Sequence, residues 1–314
     1  MNLFPAFLRL IRWINLLFIV LTQCLFQYAI VLPLFRKKNL APVLDPFYFS
    51  ILVVSSVLVA AAGYIINDYF DLNIDRINKP DKLVVDKIIK RRWTILWHWG
   101  LSFLGILFGF FIGWKIGVFW LGFANAACVL ALWLYSTSFK KQLLTGNILI
   151  SLLTAWVVLV VGFVTHYKVI LNPGDYPGFE TFKLLRFTFL YAGFAFIISL
   201  VREVVKDVED MEGDGRYGCK TMPIVWGVHV SKIFAGTWLV VLIAALFIVI
   251  AYVLQFRWWF TAIYCLLMVT IPSLIVLRKL IRATTVMDFH RLSSMIKIIM
   301  LTGILSMIFF VFTT

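Results

Sequence analysis

Asp68, Asp71 and Asp75 recur at intervals of three and four residues, with Asn67 directly ahead of them. On a helix that spacing puts the three carboxylates on one face. Glu203, Asp207, Asp210 and Asp214 repeat the pattern downstream, at intervals of four, three and four. Carboxylates and one amide, with no His or Cys beside them, form a hard, all-oxygen ligand set. Such a set suits Mg2+, or Mn2+, better than zinc or copper. Mg2+ commonly keeps waters and shares its shell with phosphate oxygens. Basic residues flank both stretches: Arg76, Lys79 and Lys82 the first, Arg202 and Lys206 the second. Carboxylates, a divalent cation and basic groups together make a site for a diphosphate and stabilise the charge that develops as it leaves.

One acidic helix end is ordinarily a solvated surface. Here eleven of the fifteen Asp and Glu residues fall within 68–86 or 203–214. Surface acids would be spread over all the loops, so two clusters suggest one site.

The elements that carry these faces are apolar. The chain has 314 residues, 62% hydrophobic and 14% charged, against roughly a quarter charged in a soluble domain. That composition describes an integral membrane protein. Runs near 20 residues predict helices rather than the alternating strands of a barrel. The expected spans are 13–34, 47–69, 94–113, 116–135, 147–166, 184–204, 233–255, 258–278 and 292–313. No linker or low-complexity segment divides them, so residues 1–314 read as one domain. The first run follows Arg9 and Arg12 like a signal peptide, but it has no small-residue cleavage site and is expected to be retained.

The net charge of +14 fits basic loops that orient a membrane protein better than nucleic-acid binding. With the N-terminus in the cytoplasm, 21 of the 29 Lys and Arg residues fall on the cytoplasmic side, although Arg36-Lys37-Lys38 runs against the rule. Both acidic faces then lie on that side, as expected for a prokaryotic cytoplasmic membrane. The four cysteines form no Cys-x-x-Cys pair, and His98, His166, His229 and His290 are scattered, so neither a disulfide framework nor a zinc site is expected. Gly105, Gly109 and Gly113 read as close helix packing. A diphosphate site in a membrane implies a substrate with a lipid tail, which points to ionisation of an allylic prenyl diphosphate and attack by an acceptor.

Asn67-Asp68-x-x-Asp71-x-x-x-Asp75, followed by Asn78-Lys79-Pro80, resembles the first signature of the UbiA-type intramembrane prenyltransferases. The run Arg202-Glu203-Val204-Val205-Lys206-Asp207-Val208-Glu209-Asp210-Met211-Glu212-Gly213-Asp214 resembles the second. Its Arg-Glu, Lys-Asp and Glu-Gly-Asp order, with Gly218-x-Lys220-Thr221-Met222-Pro223 beyond, is most similar to the digeranylgeranylglyceryl phosphate synthases. Arg12-x-x-Asn15, Tyr135-Ser136, Lys140-Lys141 and Gly146-Asn147 are weaker matches.

The resemblance implies an all-α membrane fold: about nine helices in a ring around a central cavity, under a cytoplasmic cap. It implies that Asn67, Asp68, Asp71 and Asp75 hold one Mg2+, and Asp207, Asp210 and Asp214 another. Asp71, Asp75, Asp210 and Asp214 are then the catalytic acids. Arg202, Lys206 and Lys140 would contact the diphosphate. Arg12, Asn15 and Tyr135 would form the cavity wall or acceptor side. The expected acceptor is a lipid-soluble (geranylgeranyl)glyceryl phosphate, with an aromatic quinone precursor such as 4-hydroxybenzoate second.

The run Asp81-Lys82-Leu83-Val84-Val85-Asp86-Lys87 departs from the Arg-Pro-Ile-Pro-Ser-Gly-like run such enzymes often carry. It raises the expectation that Lys82 or Lys87 faces the cavity and attracts an acceptor phosphate. A CDP-alcohol phosphotransferase would need an Asp-Gly, Ala-Arg order that is missing. An ion-coupled transporter would place its acids near mid-span rather than at span ends.

Overall fold

Among the described residues, nine apolar segments become helices long enough to cross a bilayer: Trp13–Arg36, Pro46–Phe70, Arg91–Ile116, Trp120–Thr137, Thr145–Leu171, Thr181–Glu209, Gly227–Gln255, Trp259–Arg282 and Val286–Val311. They are called the first to ninth spans below. The computed structural model describes residues 3–78 and 84–312, and the described chain is almost wholly helical, with one isolated pairing of Val85 with Ile89.

The helix ends follow local chemistry. Asp45 accepts from the Tyr48 N–H and Pro46 opens the second span, the expected roles of an N-cap and of a proline at the first helical position. Gly117 has φ of 74° and ends the third span at Ile116, so the fourth begins at Trp120 rather than at the expected 116. Thr285 and Asp288 form a reciprocal capping box, which starts the ninth span at Val286, well before the expected 292. Thr181–Glu209 runs past the expected 204 because the polar, site-bearing residues continue the same helix.

Two spans are distorted. The first contains a π-helical turn at Phe26–Val31 just before Pro33, and the eighth one at Cys265–Thr270 just before Pro272. Pro272 has no N–H to offer the carbonyl of Met268. Thr302 of the ninth span donates to that carbonyl at 2.8 Å, as an apolar surrounding demands.

Spans are held together by small residues and a few buried polar bonds. Asn125 of the fourth span donates to Ser55 Oγ of the second at 2.7 Å and to the Gly105 carbonyl of the third at 3.0 Å. Ser55 donates to the same carbonyl at 2.8 Å. Beside this knot, a Cβ on Gly105 would meet Val59, and one on Gly113 would meet the Val118 carbonyl. The glycine repeat is therefore a packing seam. Gly105→Leu is expected to destabilise the protein by about 1–3 kcal/mol through overpacking, read as a lower melting temperature in detergent. An unchanged melting temperature would remove the seam from the account.

The first, second, fourth, fifth, sixth and ninth spans wall a central cavity. The third span packs outside the second and fourth, and the seventh and eighth pack outside the sixth and ninth. The nine-helix ring is thus a six-walled chamber with three outer helices.

Candidate active site

The two acidic stretches are built alike. The second span ends at Phe70, Asp71 forms the corner, and a short helix follows at Leu72–Asn78. The sixth span ends at Glu209, Asp210 forms the corner, and a short helix follows at Met211–Arg216. In each, backbone bonds carry the helical turn through the corner: Asp71 N to the Asn67 carbonyl at 2.9 Å and Asp75 N to the Asp71 carbonyl at 2.8 Å. The counterparts are Asp210 N to Lys206 at 2.8 Å and Asp214 N to Asp210 at 3.2 Å. Each face so keeps one acid at the corner and one in the short helix, with Asp68 in the second span and Glu203 and Asp207 in the sixth.

Asn78 fastens the two corners together. Its Nδ2 donates to the Asp210 carbonyl at 3.0 Å, and its Oδ1 accepts from the Gly213 N–H at 2.9 Å. A Cβ on Gly213 would overlap the Asn78 amide, so the glycine of the Glu-Gly-Asp run is what lets the asparagine approach. The Lys140-Lys141 turn docks nearby, its Lys141 carbonyl accepting from the Lys220 N–H at 2.7 Å.

Both faces line one cavity of about 990 Å3. Asn67, Asp68, Asp71, Asp75, Asp207, Asp210 and Asp214 line it, together with Arg12, Asn15, Tyr135, Lys140, Arg202 and Lys206. The cavity continues between the spans past Trp156, Tyr191, Phe194 and Met300 to Met307. Its charged mouth therefore opens into an apolar interior.

The charges at the mouth are interlocked. Arg12 bonds Asp68 at 2.7 Å. Burial works against its guanidinium charge, but Asp68, together with Tyr64 and Asp75, more than compensates and raises its pKa. Arg12 has φ of 51° and sits at the break between the helix Leu3–Leu10 and the first span, which points its side chain to this partner. Lys140 pairs with Asp71, and Asn67 Nδ2 donates to the other oxygen of Asp71 at 2.7 Å. Arg202 and Lys206 share Glu203 at 3.1 and 3.6 Å. Asn147 donates to Asp207 at 2.8 Å. Burial, and then Asp214, raise the pKa of the Cys219 thiol, which argues against a reactive cysteine.

Among the described residues no three His, Cys, Asp or Glu side chains form a ready-made metal cage. All-oxygen faces on two walls fit instead a cation held by one or two carboxylates per side and completed by phosphate oxygens, the usual Mg2+ arrangement. The donor chemistry therefore fits the expected metal, with Asn67, Asp68, Asp71 and Asp75 available on one wall and Asp207, Asp210 and Asp214 on the other.

Sequence reasoning overlooked several participants. Asn78 and Asn147 stand inside quoted motifs without a role, Tyr64 also lines the cavity, and Glu203, read only as part of the second acidic face, is the partner of Arg202 and Lys206. Lys297, a lone charge in the last apolar run, donates to Asn15 at 2.8 Å. The basic loop after the second span needs a correction. Lys87 is exposed and does not line the cavity, because the turn closed by Asp86 N to the Ile89 carbonyl carries it outward. Lys79 and Lys82 lie outside the described residues.

A chamber walled by six helices, with paired acidic corners at one mouth, defines a membrane-embedded enzyme class, and residues 39–301 match the UbiA prenyltransferase family. The chain belongs to that family and is an integral membrane prenyltransferase. It is 34% identical over 260 residues to the digeranylgeranylglyceryl phosphate synthase of Methanothermobacter thermautotrophicus, covering 80% of this chain and 82% of that one. It is 30% identical over 190 residues to the synthase of the same name from Thermococcus sibiricus, 60% of each. Among solved structures, one concerning digeranylgeranylglyceryl phosphate synthase in membranes superposes with a TM-score of 0.62 at 24% identity, covering 98% of this chain and 99% of that one. A UbiA homolog from Archaeoglobus fulgidus bound to DMAPP and Mg2+ superposes at 0.56 and 15%, covering 96% and 99%. The family match begins beyond the first span, so Arg12 and Asn15 enter the site on structural grounds.

Proposed function

We propose that this protein transfers a prenyl group from an allylic prenyl diphosphate, with Mg2+, to a lipid-soluble acceptor, by preference a geranylgeranylglyceryl phosphate. The observation that carries the reading is the Asn78 clamp, which holds two acidic corners across the mouth of a chamber with an apolar interior. The relatives named for digeranylgeranylglyceryl phosphate synthesis and the neighbour that binds DMAPP and Mg2+ support the same assignment. The chain acts as one catalytic domain, since the chamber draws walls from both halves of the sequence. The mouth faces the cytoplasm, following the basic-residue bias.

Mg2+, when bound, supplies charge neutralisation that lets diphosphate leave. Asp71, Asp75, Asp210 and Asp214 would hold it, with Asn67, Asp68 and Asp207 completing the two walls. Asp71 and Glu203 position the ammonium of Lys140 and the cationic groups of Arg202 and Lys206 toward the leaving oxygens. The bond from C1 to the diphosphate oxygen breaks, with its electron pair going to oxygen. An acceptor hydroxyl oxygen bonds C1, and its proton passes to water or to a carboxylate of the mouth. Arg12, Asn15 and Tyr135 line the wall against which the acceptor lies.

Purified protein in vesicles, supplied with geranylgeranyl diphosphate and a panel of acceptors, tests this by mass spectrometry of products. Geranylgeranylglyceryl phosphate should be prenylated with release of diphosphate. Chelation should stop the reaction, and Mg2+ or Mn2+ should restore it. Transfer to 4-hydroxybenzoate alone would move the assignment to quinone precursors. Absence of transfer to every acceptor would overturn it.

A further inference from the structure

The cations of the chamber are not equally engaged. Lys140 pairs with Asp71, Arg12 with Asp68, and Arg202 and Lys206 with Glu203. Lys297 of the ninth span forms no ion pair among the described residues. Its ammonium donates to the neutral Oδ1 of Asn15 and stands 5.5 Å from the centre of the Phe18 ring. It is half-buried, lines the cavity, and interacts electrostatically with three other cations, Arg202, Arg12 and Lys206. The buried Nε of Arg202 has no acceptor among the described residues. A charged group within a span that lies near other cations and has no carboxylate partner of its own is costly unless an opposite charge joins it, and this contact therefore fits an anion.

The anion is not the departing diphosphate. Asn15 lies three residues further along the first span than Arg12, whose guanidinium marks the level of Asp68. The Asn15–Lys297 contact is thus three residues of helical rise (~4.5 Å) inward from the level of Asp68, which itself lies in the span ahead of the Asp71 corner. In a glyceryl phosphate, the phosphate can sit on the carbon next to the one that bears the attacking hydroxyl. Its phosphate must then lie close to the diphosphate without sharing its place, which is where this contact stands. We propose that Lys297 and Asn15 bind the phosphate monoester of the acceptor and so select a phosphorylated acceptor. The inference rests on the transferase reading above.

Lys297→Met removes the charge and keeps an unbranched side chain, and an uncharged residue does not hinder membrane insertion. In this variant the KM for geranylgeranylglyceryl phosphate should rise about tenfold or more, as for loss of a charge-assisted hydrogen bond. The KM for geranylgeranyl diphosphate should stay within about twofold under the same criterion. Lys297→Arg should recover most of the loss. An equal rise in both KM values would assign Lys297 to the diphosphate, and no rise would leave it a packing residue; either overturns the proposal. If the wild-type enzyme prenylates only acceptors without phosphate, this proposal fails while the transferase reading stands. If it prenylates none, both fail.

Discussion

Asp210→Ala and Asp71→Asn are each expected to lower prenyl transfer by about 10²–10³-fold or more, the range seen when one preorganised charge-stabilising group is lost. Asp71 and Asp210 stand at the corners between spans and short helices, which Asn78 joins. The substitutions differ for a reason. Losing one acid should relieve repulsion within an acidic face, so an alanine could be expected to leave folding untouched. The ion pair between Lys140 and Asp71 changes that for Asp71, because the two side chains are only 10% and 16% exposed and alanine would strand a largely buried ammonium. Asparagine keeps a hydrogen-bond acceptor for Lys140 while removing the negative charge. Both variants should insert and elute like the wild type. Near-normal transfer by either one at saturating Mg2+ would remove that residue from the catalytic set.

Asn78→Leu should have the second largest effect. It deletes both bonds of the clamp and leaves the Asp210 carbonyl and the Gly213 N–H to find other partners. Partners that orient metal-binding groups typically matter by 10–100-fold, and a loss of about that size is expected here. Because Asn78 positions other groups, the Mg2+ concentration giving half-maximal rate should rise along with the loss in kcat. A residue that serves only stability would lower the melting temperature and leave the Mg2+ dependence alone. Asn78→Asp keeps the acceptor for Gly213 and loses the donor to Asp210, so its rate should fall between the two. Gly213→Val attacks the clamp from the opposite side, since its Cβ would occupy the position of the Asn78 amide. If Asn78→Leu and Gly213→Val keep wild-type Mg2+ dependence, the clamp has no bearing on the site.

The spans were legible because apolar runs of bilayer length have few alternative structures. Their ends were less so. Val286 starts the ninth helix through a Thr285–Asp288 capping box, a signal that an average over hydropathy removes. The acidic faces were legible from the periodicity of 68, 71 and 75 and of 207, 210 and 214, and the structure sets them on one chamber. The residues that join them were not. The Asn78 side chain meets backbone atoms of Asp210 and Gly213, the latter across 135 residues of sequence, and an asparagine at the end of a short helix has the same local appearance whether or not it clamps anything. Lys297 meets Asn15 from the opposite end of the chain, which no local pattern encodes. Its solitary charge in an apolar run was the one available signal. The basic loop misled for the opposite reason: a lysine near the site in sequence, Lys87, is carried outward by a tight turn.

The Asn78 clamp grips main-chain atoms and uses none of the carboxylates it brings together. The two short helices are thereby held at a fixed separation, one asparagine side chain apart. Ion pairs such as Arg12 with Asp68 weaken as ionic strength rises, whereas a bond from an amide to a carbonyl is far less sensitive to added salt. High salt should therefore change how often the mouth is filled without changing the size of the headgroup that fits. Calibre and charge are in this way separate properties of the mouth, and a variant can alter one of them while the other stays as it was.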